Sequence, residues 1–240
     1  MLWQINAAKK MKELLSNIIN SEEITLGGSV LNPTELDLYS DVDMKITLSD
    51  NTPINITNVL EAIADEFAPV FGYEVISHSR KDAIRLCLDN GMRFDLVFRY
   101  PHDKTMLSAD TSNSNRIDGL VNQFHFFAAM ALVKLGRKDN LIAAHLALEM
   151  QQILIGIQMI IRDDNKGTNI HRFGGAEEIP FLVTPKRVSA PVNLNCDTAN
   201  AVLAILISAV DEMDNALKKH RFEHSMKSDV LAAMIIHFFT

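Results

Sequence analysis

Asp41 and Asp43 stand two positions apart in the run Ser40-Asp-Val-Asp-Met-Lys-Ile46. On an extended strand that spacing points both carboxylates to one face. Like charges held so close are costly unless a cation joins them. Mg²⁺ suits such a pair, because it takes oxygens from one or two carboxylates and completes its shell with phosphates. A short loop earlier, Leu26-Gly-Gly-Ser-Val30 presents Gly28 and Ser29. Gly28 has no Cβ, so its backbone can lie against a phosphate, and Ser29 offers a hydroxyl and an N–H to the same anion. Taken alone, the Gly-Ser pair reads as an ordinary turn after a strand. Beside the two carboxylates it suggests a site for a nucleoside triphosphate and its divalent metal.

Asp95 is the third carboxylate. Two β-rich runs flank Asp89-Asn90-Gly91, which is a hairpin signal. Asp95 falls inside the second run, between Phe94 and Leu96. A charge there is expensive without a partner or a task. One reading is a wet strand face on which Arg85, Arg93 and Asp95 pair. The other adds Asp95 to the Gly-Ser and Asp-x-Asp elements as a metal ligand, or as the base that takes a hydroxyl proton.

Gly28-Ser29, then Asp41-Val-Asp43, then a distant strand Asp95 resembles the polymerase-β-type nucleotidyltransferase superfamily. Within it the chain is most similar to the antibiotic nucleotidyltransferases, the aminoglycoside adenylyltransferases and lincosamide nucleotidyltransferases. The runs Tyr39-Ser-Asp-Val-Asp43 and Gly91-Met-Arg-Phe-Asp-Leu-Val97, and the stretch from Phe126 to Asp139, carry the likeness to the 6-adenylyltransferase branch. The resemblance implies that Asp41, Asp43 and Asp95 are catalytic and bind one or two Mg²⁺ ions. It implies that Gly28 and Ser29 contact the triphosphate of ATP or another NTP. It also implies that Lys134 reaches the nucleotide phosphates, although a lysine near a helix C-terminus is favoured there anyway. The implied reaction moves AMP onto a hydroxyl of a small, cationic acceptor. Rival readings are a nucleotidyltransferase acting on protein or RNA, and a non-catalytic nucleotide-binding module.

Other residues carry less. Lys45 shares the face of Asp43 and either reaches a phosphate or simply offsets the acids; Arg93 has the same relation to Asp95. Glu149, a lone acid in an apolar helix, is the runner-up base. His220 and His224 are spaced for one helix face but lack a third ligand. His125, among phenylalanines, reads as a core histidine.

The formal net charge is −7. That balance disfavours a nucleic-acid backbone as partner and suits a small cationic acceptor. Cys87 and Cys196 are the only cysteines and match no redox or zinc spacing, so both read as buried thiols in a reducing cytoplasm. Met1 to Ile19 lacks the apolar segment of a signal peptide. Leu141 to Ile161 is long and apolar, but His145, Glu149, Gln151, Gln152 and Gln158 interrupt it, so it reads as a core helix and not a membrane span.

These residues need a sheet to hold them. Ile5, Ala8, Met11, Leu15 and Ile18 recur at helical spacing. Strands are expected at Ile24–Gly27, Asp41–Leu48 and Tyr73–Ser77 and on either side of the hairpin, with a loop at Asn32–Tyr39 and a helix at Val59–Phe67. The polar stretch Tyr100–Asn115 marks a boundary. Helices follow at Asp118–Leu135, Leu141–Arg162, Thr198–Lys219 and Ser225–Phe239, with Asp163–Asn169 and His171–Pro191 irregular. The fold class is therefore α/β (α+β), a mixed-sheet catalytic domain over 1–112 followed by a helical bundle over 113–240 that closes the cleft. The chain is expected to act as a monomer or homodimer.

Overall fold

The structure is a computed structural model that describes residues 3–103, 113–165, 197–220 and 226–239. The chain divides into two compact units, Met1–Ala109 and Asp110–Thr240.

The first unit opens with helix α1 (Trp3–Ile18) and strand β1 (Ser21–Leu26). Two short 3-10 turns, Gly28–Leu31 and Pro33–Glu35, lead to β2 (Val42–Leu48). Helix α2 (Ile56–Glu66) follows, then β3 (Val70–His78), β4 (Lys81–Leu88) and β5 (Arg93–Arg99). The strands form one sheet in the order β1-β2-β5-β4-β3. All neighbours are antiparallel except β2 and β5, which run parallel at its centre. The β4–β5 hairpin closes through Asp89-Asn90-Gly91, and Gly91 takes the left-handed conformation (φ 82) that such a turn requires.

Period-two burial divides the sheet into two faces. On β2, Val42, Met44, Ile46 and Leu48 are buried while Asp43, Lys45 and Thr47 are half-buried or exposed. On β5, Phe94, Leu96 and Phe98 point with the apolar set. Ala7, Ala8, Met11 and Leu15 of α1 and Val59, Leu60 and Ile63 of α2 complete that core. So both helices cover the apolar face, and Asp43, Lys45 and Asp95 are left on the other. The stripe of α1 runs through Gln4, Ala7, Ala8, Met11 and Leu15. Ile18, expected in the core, is 43% exposed, because the helix ends there and β1 begins. Phe94 anchors the start of β5, its ring meeting Trp3 edge-on at 6.2 Å and Phe67 at 5.3 Å.

Helix α2 starts three residues before the expected Val59, because Asn55 caps it by accepting from the Asn58 N–H. Asn55→Ala is expected to lower unfolding stability by about 1 kcal/mol, read by urea denaturation with an unchanged slope. The strand β3 is longer at both ends than Tyr73–Ser77 because it pairs with β4 along most of its length, from Val70 to His78.

The second unit holds α3 (Asn113–Gly136), α4 (Asn140–Asn165), α5 (Asp197–Lys219) and α6 (Ser228–Phe239). Consecutive helices pack on one another, and α3 also meets α5 and α6. The short turn between α3 and α4 makes those two antiparallel neighbours. Asp214 of α5 is buried and accepts from the N–H groups of Lys227 and Ser228 and from the Ser228 hydroxyl, which caps α6 and joins it to α5. His125 is buried at 2% exposure against Phe124. Residues 163–165, expected as loop, continue α4. The irregular stretch expected over His171–Pro191, Cys196 and His224 lie outside the described residues. Among those described, α4 is the one helix long and apolar enough to cross a membrane, and 33% of that stretch is buried.

Candidate active site

The parallel pairing of β2 and β5 sets Asp43 directly opposite Asp95. Partners in register point to the same side, so both carboxylates lie on the face away from α1 and α2. Asp41, just before β2, shares that face by spacing. The antiparallel partner of Asp95 on β4 is Arg85, and the partner of Arg85 on β3 is Glu74. A row of charges, Asp43–Asp95–Arg85–Glu74, therefore crosses four strands.

Arg85 sits between two acids. Its Nε lies 3.2 Å from Asp95 Oδ2 and its Nη1 3.6 Å from Glu74 Oε2. Among the described residues no ion pair reaches Asp43 at the other end of the row. Burial, then the charges of Asp41 and Asp95, push the Asp43 carboxyl up to about 6 from an ordinary 3.8, and Arg85 offsets only part of this. Burial also raises Asp95, against the opposing pull of Arg85, with Asp41 and Glu74 adding to the rise. Proton uptake by Asp43 and binding of a cation are two ways to relieve the same repulsion.

Gly28 explains why the Gly-Ser pair belongs here. Its φ is +60, a conformation that L side chains rarely adopt, and a Cβ at that position would overlap Asp43 Oδ2. The preceding Gly27 donates its N–H to the Asp43 carbonyl at 2.9 Å, extending the β1–β2 ladder up to the turn. Ser29 follows in the 3-10 turn, half-buried, and its carbonyl accepts the Asn32 N–H at 3.0 Å. The turn thus brings an uncluttered stretch of backbone against the Asp43 carboxylate.

The other predicted residues separate from this group. Lys45 shares the charged face, is exposed, and makes no ion pair among the described residues. Arg93 does not pair with Asp95, as one reading of the strand expected. It is buried at 2% exposure and donates instead to the carbonyls of Gly91 and Ser40, at 3.0 and 3.1 Å. The reason is position: Arg93 begins β5 beside the loop that enters β2, where carbonyls need donors. Asp82 is a further acid on the neighbouring strand, but it faces the core and accepts the Tyr100 hydroxyl at 2.6 Å. Lys134 lies in the last turn of α3 and Glu149 on α4, both half-buried and both in the second unit. Two residues of the site were missed by sequence reasoning. Gln4 donates to the carbonyls of Asp37 and Ser40 at 2.7 and 3.1 Å, and Glu74 shares Arg85. The signal for Gln4 was present, since it falls in step with Ala8, Met11 and Leu15 on the apolar stripe.

Mg²⁺ fits Asp41 and Asp43, because they are near enough for the charge of Asp41 to raise the pKa of Asp43, and Asp43 has no ion pair among the described residues. Among the described residues no three acidic, imidazole or thiol groups form a ready-made metal cage, and Asp95 is engaged by Arg85. A pair of carboxylates that depends on phosphate oxygens to complete the shell is the usual arrangement for Mg²⁺ at nucleotides.

No protein-family model matches the chain, and neither does any curated protein. Among solved structures, it is similar to an aminoglycoside 6-adenyltransferase from Bacillus subtilis, at 10% identity over 99% of both chains with a TM-score of 0.34. It is similar to a cytoplasmic RNA terminal U-transferase at 18% identity and a TM-score of 0.31, over 56% of this chain but only 38% of that one. A STING-associated CdnE c-di-GMP synthase from Capnocytophaga granulosa matches at 15% identity and a TM-score of 0.27, over 90% of this chain and 81% of the other. The neighbours thus include nucleotidyltransferases of differing substrate, but likenesses this low carry no weight for the chemistry of this chain, which rests on its own geometry.

Proposed function

We propose that this chain is a Mg²⁺-dependent nucleotidyltransferase that moves a nucleoside monophosphate, AMP from ATP, onto a hydroxyl of a small molecule of the aminoglycoside or lincosamide type. The observation that carries this reading is the convergence of Gly28, Asp43 and Asp95 on one sheet face with Asp41 beside them. Asp41 and Asp43 hold the metal. Bound there with the nucleotide, Mg²⁺ supplies neutralisation of charge on the triphosphate. The backbone at Gly28 and Ser29 receives the phosphates, since N–H groups at a side-chain-free turn approach an anion closely. Asp95 would complete the metal site or accept the acceptor hydroxyl's proton, and its raised pKa suits the second task. Arg85 keeps Asp95 oriented while the site is empty of substrate. The rest is positioning, with the reacting groups held in line.

In this reading residues 1–112 form the catalytic domain and 113–240 a helical bundle. The protein acts in the cytoplasm, as a monomer or homodimer, and α4 is a bundle helix. The acidic balance favours a cationic acceptor over nucleic acid.

The test is to incubate the protein with Mg²⁺ and each NTP against aminoglycosides, lincosamides, a short RNA and the protein alone, and to measure pyrophosphate. Pyrophosphate released only with ATP and an antibiotic is the expected result. Release driven by RNA or by self-modification would move the acceptor to another class. Silence with all acceptors, together with no rise in melting temperature from Mg²⁺-ATP, would overturn the reading, because a ligand of the folded state must stabilise it.

A further inference from the structure

The peptide that joins Ser40 to Asp41 is gripped from two distant parts of the chain. The buried carbonyl of Ser40 accepts Gln4 Nε2 of α1 at 3.1 Å and Arg93 Nη2 of β5 at 3.1 Å. Each donor has a second anchor, Gln4 on the Asp37 carbonyl at 2.7 Å and Arg93 on the Gly91 carbonyl at 3.0 Å. Both side chains are buried, at 0% and 2% exposure. The loop itself is a small hydrogen-bonded turn, in which the Ser40 hydroxyl donates to Asp37 Oδ1 at 2.7 Å and the Ser40 N–H to the Asp37 carbonyl at 3.2 Å. Gln4 and Arg93 fasten that turn to the helix on one side and to the strand of Asp95 on the other.

We propose that Gln4 and Arg93 are positioning residues that set the placement of the Asp41 carboxylate relative to Asp43, and through it the affinity for the metal. This rests on the nucleotidyltransferase reading above. Asp43 needs no such help, because β2 pairs on both sides and fixes it. Asp41 precedes the strand and has no ladder to hold it, so its direction depends on the peptide before it. The carbonyl of Ser40 and the N–H of Asp41 belong to one rigid plane, and two donors on that oxygen leave the plane little freedom. The cost visible at Gln4 supports a task for it. Its Oε1 is buried with no hydrogen-bond partner among the described residues, which disfavours an amide there on stability alone. An apolar side chain of the same length would avoid that cost and lose only the grip on the loop.

The experiment compares wild type with Gln4→Met, which keeps the shape and removes the donor, and with Arg93→Lys, which keeps the charge and loses the two-pronged geometry. Mn²⁺ replaces Mg²⁺, and its affinity is measured by electron paramagnetic resonance with a non-hydrolysable ATP analogue, well below each melting temperature. Supporting residues around metal ligands commonly affect affinity by about 10–100-fold. Gln4→Met is expected to weaken Mn²⁺ about tenfold and to lower kcat with little change in the KM for ATP, with a smaller loss in Arg93→Lys. A variant that melts earlier but binds Mn²⁺ as tightly as wild type would show a merely structural contact and overturn the proposal. If wild type itself binds no Mn²⁺ with the analogue, the nucleotidyltransferase reading falls and the positioning role with it. If wild type binds and Gln4→Met binds equally, only the positioning role falls.

Discussion

Asp43→Asn is expected to lower Mg²⁺-dependent transfer by about 10²–10³-fold or more, while making the folded chain harder to melt. The two effects come from one cause. Asp43 lies beside Asp41 and opposite Asp95, and burial and repulsion push it up to about 6. Asn is close to the shape of the protonated form, so it removes the repulsion and with it the reason to bind a cation. A carboxyl raised in the folded state contributes stability that is full below its ordinary value and lost as pH rises through the folded one. The loss in wild type therefore falls between about pH 4 and pH 6, and the variant should lack it. Linkage sets a limit of ~3 kcal/mol above that window, from 3.8 to about 6. Solvent screening of a half-buried group brings the expected gain nearer ~1 kcal/mol.

Melting curves of wild type and Asp43→Asn across that range are the direct check, repeated with Mg²⁺. The curves should separate as pH rises from about 4 to about 6, stay apart above it, and converge again when Mg²⁺ and ATP occupy the wild-type site. In the proposed reading Asp41→Asn should also abolish transfer, since it would remove the second ligand. Near wild-type turnover in either variant would remove the metal assignment, whatever the melting curves do.

The site was largely legible because its strand geometry is local. Period two puts Asp41 and Asp43 on one face, and the Asn-Gly turn fixes where the strand carrying Asp95 begins. The register between β2 and β5 was not legible. It is a parallel pairing of segments far apart in the chain, and no turn sets it; the apolar residues Val42, Met44, Phe94 and Leu96 do, by sharing the core face. Arg93 was misread for a related reason. By spacing it is as good a partner for Asp95 as Arg85 is, but only the fold shows that Ser40 lies next to it. Gln4 drew no reading from the sequence, and its place on the apolar stripe gained meaning only from the loop it meets. The helix ends were less legible than their existence, because caps such as Asn55 are single side chains acting outside the periodic pattern.

Gly28→Ala should be the most damaging single-methyl change in the first unit, and Gly27→Ala one of the mildest. The two positions are neighbours with the same composition and exposure to the same acid, so their contrast isolates geometry. At Gly27 the backbone is extended (φ −132), and an added Cβ would meet Asp43 Cβ at 3.5 Å, an ordinary contact. At Gly28 the backbone is left-handed (φ +60), and the Cβ would overlap the Asp43 carboxylate itself. The left-handed conformation alone costs an L-residue about 1–2 kcal/mol. The clash adds to this unless Asp43 turns aside, and turning aside takes the carboxylate from its place beside Asp41 and opposite Asp95. Either relaxation should remove Mg²⁺-dependent transfer. Gly27→Ala should keep it, with a melting temperature close to wild type, because a strand-like residue tolerates alanine. Pyrophosphate release and thermal melts of the two variants, side by side, give the result. Equal activity in both would mean that the turn does not lie against the reacting phosphates, and the triphosphate would have to be bound elsewhere on the sheet.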